Sequence, residues 1–109
     1  MGLFSKPSNV ISAQEAHGRL EQGGNFVLLD VRTPAEYRQI RIKGSTLIPV
    51  DEVARRAPKE LPDKNVPILI YCQSGMRAMT ALRTLTNMGY TDVVSFGGIV
   101  DWPYDVVRG

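Results

Sequence analysis

The stretches NFVLLDV (25–31) and VPILIYC (66–72) are apolar at nearly every position, with no polar alternation. A strand with one wetted face alternates apolar and polar residues, whereas an unbroken run of this length belongs to a strand buried on both faces. Such strands build parallel sheets, and each parallel connection needs a dozen or more residues to return, usually as a helix. The segments between the apolar runs have the length and the amphipathic spacing for that task.

Read along the chain, strand and helix signals alternate. NVIS (9–12) is a short strand candidate, and Ser12 with Glu15 three residues on forms a capping-box pattern that predicts a helix over 13–22, closed by Gly23-Gly24. After NFVLLDV, TPAEY (33–37) offers Thr33 as N-cap, Pro34 in the first helical position and Glu36 reaching back, the signature of a second short helix. STLIPV (45–50) reads as a third strand stopped at Pro49, and DEVARRA (51–57) as a third helix. The fourth strand, VPILIYC, leads into a helix with Ala78, Ala81, Leu82, Leu85 and Met88 on one face and Gly89 at its end. DVVSF (92–96) is a fifth strand, followed by Gly97-Gly98 and a last turn holding Trp102. The expected fold is α/β: a five-stranded parallel sheet flanked by helices on both faces, in a single domain over 1–109 with its core at about 9–102.

Composition narrows what such a domain can do. With 109 residues, 43% hydrophobic, the chain can bury a core without staples. Its single cysteine excludes an internal disulfide, and one Cys with one His leaves no metal-ligand pattern, so neither a metal nor a cofactor is expected. A net charge of +2 is too mild to imply a nucleic-acid partner; Arg32, Arg38, Arg41 and Lys43 gather near the middle, as a solvated surface or as a lure for anions. MGLFSKPSNV (1–10) contains no long apolar segment, so neither a signal peptide nor a membrane anchor is expected, and Lys6 stands where a myristoylation signal wants Ser or Thr. A cytoplasmic protein with no membrane partner is the expectation.

The one cysteine, Cys72, stands where the fourth strand gives way to a helix. In open parallel sheets, ligands sit outside the carboxyl ends of the strands. The following residues Gln73, Ser74, Gly75, Met76 and Arg77 form a tight loop whose amides, together with the free amides of a first helical turn, make a nest for an anion. Gly75 permits the dihedral angles of such a loop, and Arg77 adds a positive charge. Helix N-termini and nearby cations favour the thiolate, in known cases lowering thiols from about 8.5 to about 3.5–7.5. Cys72 is therefore a candidate nucleophile that needs no histidine as base. His17, on the apolar side of the first helix, is read as a packed or edge residue. A buried cysteine acting as a small hydrophobe is the competing reading.

Four segments in order resemble the rhodanese-like domains: LLDVRTPAEY (28–37), IRIKGSTLIP (40–49), YCQSGMRA (71–78) and GGIVDW (97–102). The resemblance covers about Asn9 to Trp102. It departs from the family pattern at Ile40, Arg41 and Lys43, where Gly, His and Pro are common, which bears on loop detail and the electrostatics of the rim. The resemblance implies a five-stranded parallel sheet wrapped by helices, and sulfurtransferase chemistry. Cys72 would take sulfane sulfur from thiosulfate, a polysulfide or a persulfide and pass it to a thiol or cyanide. Gln73 to Arg77 would cradle the charged adduct, and Asp30 and Arg32 would brace the loop from behind, with Trp102 as packing. Other readings stay open: a sulfur carrier that serves an acceptor protein, a binding module of the same fold, a redox-sensing thiol, or a Cys-dependent phosphatase or arsenate reductase. The phosphatases of this fold carry five residues between Cys and Arg, against the four from Cys72 to Arg77. Monomer and homodimer are both open.

Overall fold

The computed structural model describes residues 9–109, so the N-terminal stretch read above as free of leader and lipid signals lies largely outside it. In chain order the elements are α1 (Ala13–Gln22), β1 (Val27–Asp30), α2 (Pro34–Gln39), β2 (Ile40–Arg41), β3 (Thr46–Leu47), α3 (Val53–Glu60), β4 (Ile68–Cys72), α4 (Met76–Asn87), β5 (Val93–Gly98) and β6 (Val107–Arg108). Single 3-10 turns at Val50–Glu52 and Ile99–Asp101 precede α3 and follow β5.

The main sheet is parallel, in the order β3-β1-β4-β5, with four strands rather than five. The strand expected over NVIS shrinks to one parallel bridge, Val10 to Ser95, with Ile11 N–H donating to Ser95 O and Ser95 N–H to Asn9 O at 2.9 Å each. Its shortness has a local cause. The Ser12 side chain already accepts Glu15 N–H at 3.0 Å and starts α1, so the chain leaves the sheet edge after Ile11. Glu15 does not complete the capping box; its carboxylate pairs with Arg19 at 2.9 Å. At α2 the box forms in full between Thr33 and Glu36. The antiparallel ribbon of β2 and β6 was not anticipated: Ile40 pairs with Arg108 and Arg41 with Val107.

Side chains alternate across the sheet, so each apolar strand feeds both cores. Leu29, Ile68, Ile70 and Cys72 face α3 and α4, where Ala81 and Leu85 are buried against them. Leu28, Leu69, Tyr71 and Phe96 face α1 and Trp102. Cys72, last residue of β4, thereby points toward the side on which α4 begins. No helix among the described residues is long and apolar enough to cross a membrane.

Candidate active site

The five residues of β4 are all buried, and Cys72 itself is 1% exposed. The chain then turns over three residues into α4, whose N-cap is Gly75 at φ 119°, a left-handed conformation that a side chain would strain. Ser12 and Thr33 cap α1 and α2 with their hydroxyls, but no side chain caps α4. In place of a cap, Gly75 N–H donates to Cys72 Sγ at 2.9 Å. The sulfur therefore sits at the positive end of a 12-residue helix, the longest in the described residues, where the first-turn amides have no intrahelical acceptor.

Three contacts hold the loop in this shape. Gln73 O accepts Val100 N–H at 3.2 Å, and Gln73 Oε1 accepts Arg32 Nη1 at 3.3 Å. Beneath it lies Gly98, which β4 and β5 bring opposite Cys72 past an irregularity in their register. A Cβ on Gly98 would stand 2.1 Å from Gln73 O and 2.6 Å from Ser74 Cα, so only glycine fits under the loop. Gly98 was read from the sequence as following a strand and as part of a family signature; its physical role as the loop's seat went unseen. The clue was a glycine at the carboxyl end of the strand beside β4.

Arg32 and Asp30 are both buried and form one unit. Arg32 Nε lies 3.1 Å from both carboxylate oxygens, Nη2 is 2.8 Å from Oδ2, and Arg32 N–H donates to Oδ1 at 2.9 Å. Nη2 also donates to Ile40 O. Burial pulls the guanidinium toward its neutral form, but the hydrogen bond and charge of Asp30 outweigh it, so its pKa lies above the ordinary value. Next to them, Tyr71 stays protonated: burial first, then the Asp30 charge, lift its hydroxyl well above the usual range.

Arg77, at the loop's far end, is engaged by Glu36, with Nη1 to Oε1 at 2.8 Å and Nη2 to Oε2 at 3.0 Å. The Arg77 hydrogen bond is the main cause that holds the Glu36 carboxyl down to about 2, with Thr33 N–H adding to it. In return Glu36 raises Arg77. Sequence reading gave Glu36 only the cap of α2. Its second bond reaches 41 positions along the chain, and no local spacing signals it.

The expected residues thus fall into two groups. Cys72 closes β4; Gln73, Ser74 and Gly75 form the turn; and Met76 and Arg77 open α4, with Asp30 and Arg32 behind that turn. His17 stands elsewhere, stacked on Tyr104 at 3.7 Å and edge-on to Trp102 at 5.9 Å. A cavity of about 480 Å³ beside these aromatics includes no residue of the Cys72 loop. Trp102 is buried against Phe96 and Tyr104. Met76, at the loop's edge, is 82% exposed.

A parallel sheet carrying a cysteine loop against a helix N-terminus defines a class, and the comparisons name it. The family model described as "Rhodanese-like domain" matches residues 12–104, so the chain belongs to the rhodanese-like family. It is 38% identical over 81 residues to the thiosulfate sulfurtransferase PspE of Escherichia coli, covering 74% of this chain and 78% of that one. It is 35% identical over 95 residues to a sulfurtransferase of Allochromatium vinosum, covering 86% and 87%. Among solved structures, an E. coli rhodanese with anions superposes with a TM-score of 0.71 at 37% identity, over 76% of this chain and 98% of that one.

Proposed function

We propose that the protein is a sulfurtransferase that carries sulfane sulfur on Cys72. The observation that supports this most is the seat of Sγ: it accepts the Gly75 amide at the uncapped start of α4, where a sulfur anion is favoured. The relatives at 35–38% identity that are named sulfurtransferases point the same way.

In the first half-reaction the Cys72 thiolate attacks the outer sulfur of thiosulfate. A new S–S bond forms at Cys72, the bond to the central sulfur breaks, and sulfite leaves with that electron pair. The terminal sulfur of the adduct takes the negative charge, and the amides of the loop and first helical turn face it. In the second, an acceptor thiolate attacks the same outer sulfur, leaves as a persulfide, and returns the electron pair to Cys72 as thiolate. Cyanide in that role leaves as thiocyanate. No net oxidant is consumed, and the cycle passes through one covalent intermediate.

Gln73 to Met76 supply the amide cradle in this reading. Arg77 contributes its backbone, its guanidinium being taken up by two bonds to Glu36. A cradle of four residues between Cys72 and Arg77, in which Gly75 N–H closes on Sγ, suits a sulfur adduct better than a tetrahedral phosphate. A polysulfide or an organic persulfide can replace thiosulfate as donor by the same step.

The test is turnover of thiosulfate with cyanide. Cys72→Ser keeps the size of the side chain and is expected to abolish thiocyanate formation while leaving the thermal unfolding curve in place. Thiocyanate formed by that variant at the wild-type rate would refute the role of Cys72.

A further inference from the structure

The cavity of about 480 Å³ beside His17 belongs to the other side of the sheet from the reacting sulfur. Cys72 is buried in the core under α3 and α4, whereas Trp102 and Tyr104 pack with the core under α1. Three rings stand at this cavity. Trp102 and Tyr104 meet nearly at right angles, with centroids 5.0 Å apart and planes at 71°, and His17 lies flat on Tyr104 at 3.7 Å. Two acidic residues are tied to these rings. Trp102 Nε1 donates to Asp105 O at 3.3 Å, and His17 Nε2 lies 3.6 Å from Glu21 Oε2. Lys43 is the only lysine or arginine in the lining.

Sulfur transfer uses none of these groups, and packing alone has no need of carboxylates at the mouth of an aromatic corner. The volume lies within the range of small-ligand sites, about 300–1,000 Å³. Its charges select among ligands. The face of an aromatic ring is negative and attracts a cation, and here two carboxylates outnumber one ammonium, so an anion is disfavoured. A metal ion is not served either, because no three His, Cys, Asp or Glu side chains among the described residues are placed to hold one. An organic cation fits both features. Its charge is spread over alkyl groups that can lie on the rings, and Leu20 and Ile42 add apolar surface to the same lining.

We infer that this cavity is a second binding site, for a small organic ammonium ion free in solution, seated against Trp102 and Tyr104 with Glu21 and Asp105 beside it. Binding there is noncovalent and uses no step of the sulfur cycle, so the two readings stand or fall separately.

Trp102 is the only tryptophan of the chain, so its emission reports on the cavity. The full chain is titrated with choline and with dimethylbutanol, the uncharged carbon analogue of the same shape, and saturation transfer to the ligand methyl protons is recorded in parallel. Wild type is expected to bind choline about tenfold more tightly than dimethylbutanol, and less so as salt rises. Asp105→Asn and Glu21→Gln are each expected to weaken choline about threefold, and Lys43→Gln to tighten it by a similar factor. These three residues are exposed, so unfolding curves and cyanide turnover should not change. Cys72→Ser is expected to bind choline as wild type does. Equal affinity for the two compounds, an unchanged emission without saturation transfer, or loss of choline binding in Cys72→Ser would overturn the inference. Co-sedimentation of the chain with phosphatidylcholine vesicles would also overturn it, by making the ligand a lipid headgroup. None of these results would touch the persulfide cycle.

Discussion

Two arginines stand at the two ends of the Cys72 loop, each on a carboxylate. At the entry, Arg32 binds Gln73 while Asp30 holds it from two residues away in sequence, and both side chains are sealed from water, at 1% and 0% exposure. At the exit, Arg77 meets Glu36 across 41 positions, with a third of each side chain exposed. The same chemistry has different consequences. A buried pair cannot lose one member without stranding the other charge in the core, whereas a half-exposed pair can part and be hydrated. The entry of the loop is therefore fixed by the fold, and its exit is held by a bond that can break. The buried pair is the frame and the open one the adjustable clasp.

The largest effect is expected from breaking the frame. Asp30→Ala leaves the Arg32 guanidinium buried without its carboxylate and should cost about 3–5 kcal/mol, read from denaturant unfolding. A loss no larger than that of an exposed pair would put the two arginines on the same footing and end the comparison.

Gly98→Ala disturbs the loop without touching either pair. Its methyl group would meet Gln73 O at 2.1 Å, so the loop must rise, at a cost of about 1–3 kcal/mol of strain, and transfer should slow more than stability falls. Unchanged cyanide turnover would show that the loop's seat is not needed for the reaction.

The clasp is tested by two substitutions at once. Arg77→Ala and Glu36→Gln should each cost about 0.5–1 kcal/mol and slow transfer to a similar degree, because each opens the same bond. A far larger rate loss for Arg77→Ala would mean that the guanidinium itself binds the donor.

The smallest effect is one of pH. Glu36 is held down to about 2 from an ordinary 4.5, so its contribution is complete above pH 4.5 and disappears as pH falls through about 2. Subtracting the unfolding curve of Glu36→Gln from that of wild type across this window should show that loss. A constant difference across it would contradict the bond to Arg77.

How far the sequence could be read follows the same division between local and distant. The ends of α1 lie where Ser12 and Gly23 mark them, and α2 starts at the Thr33 box, because caps act over three or four residues. The unbroken apolar runs gave the doubly covered strands β1 and β4, and with them the position of Cys72 at a strand end. What was illegible depends on pairings between remote segments. The strand expected over NVIS is cut short by the very cap that announced α1, and β2 finds β6 only at the far end of the chain. Glu36 shows no sign in the sequence that it also serves Arg77. Gly98 is visible as a glycine, but its need appears only when Gln73 is set above it.

The central claim, that Cys72 at the head of α4 carries the sulfur, is tested most directly by intact mass. Wild type and Cys72→Ser are each incubated with excess thiosulfate and weighed before and after adding cyanide. The account predicts a gain of one sulfur atom on wild type alone, removed by cyanide. A wild type that gains no sulfur, or a Cys72→Ser variant that gains it equally, would contradict it.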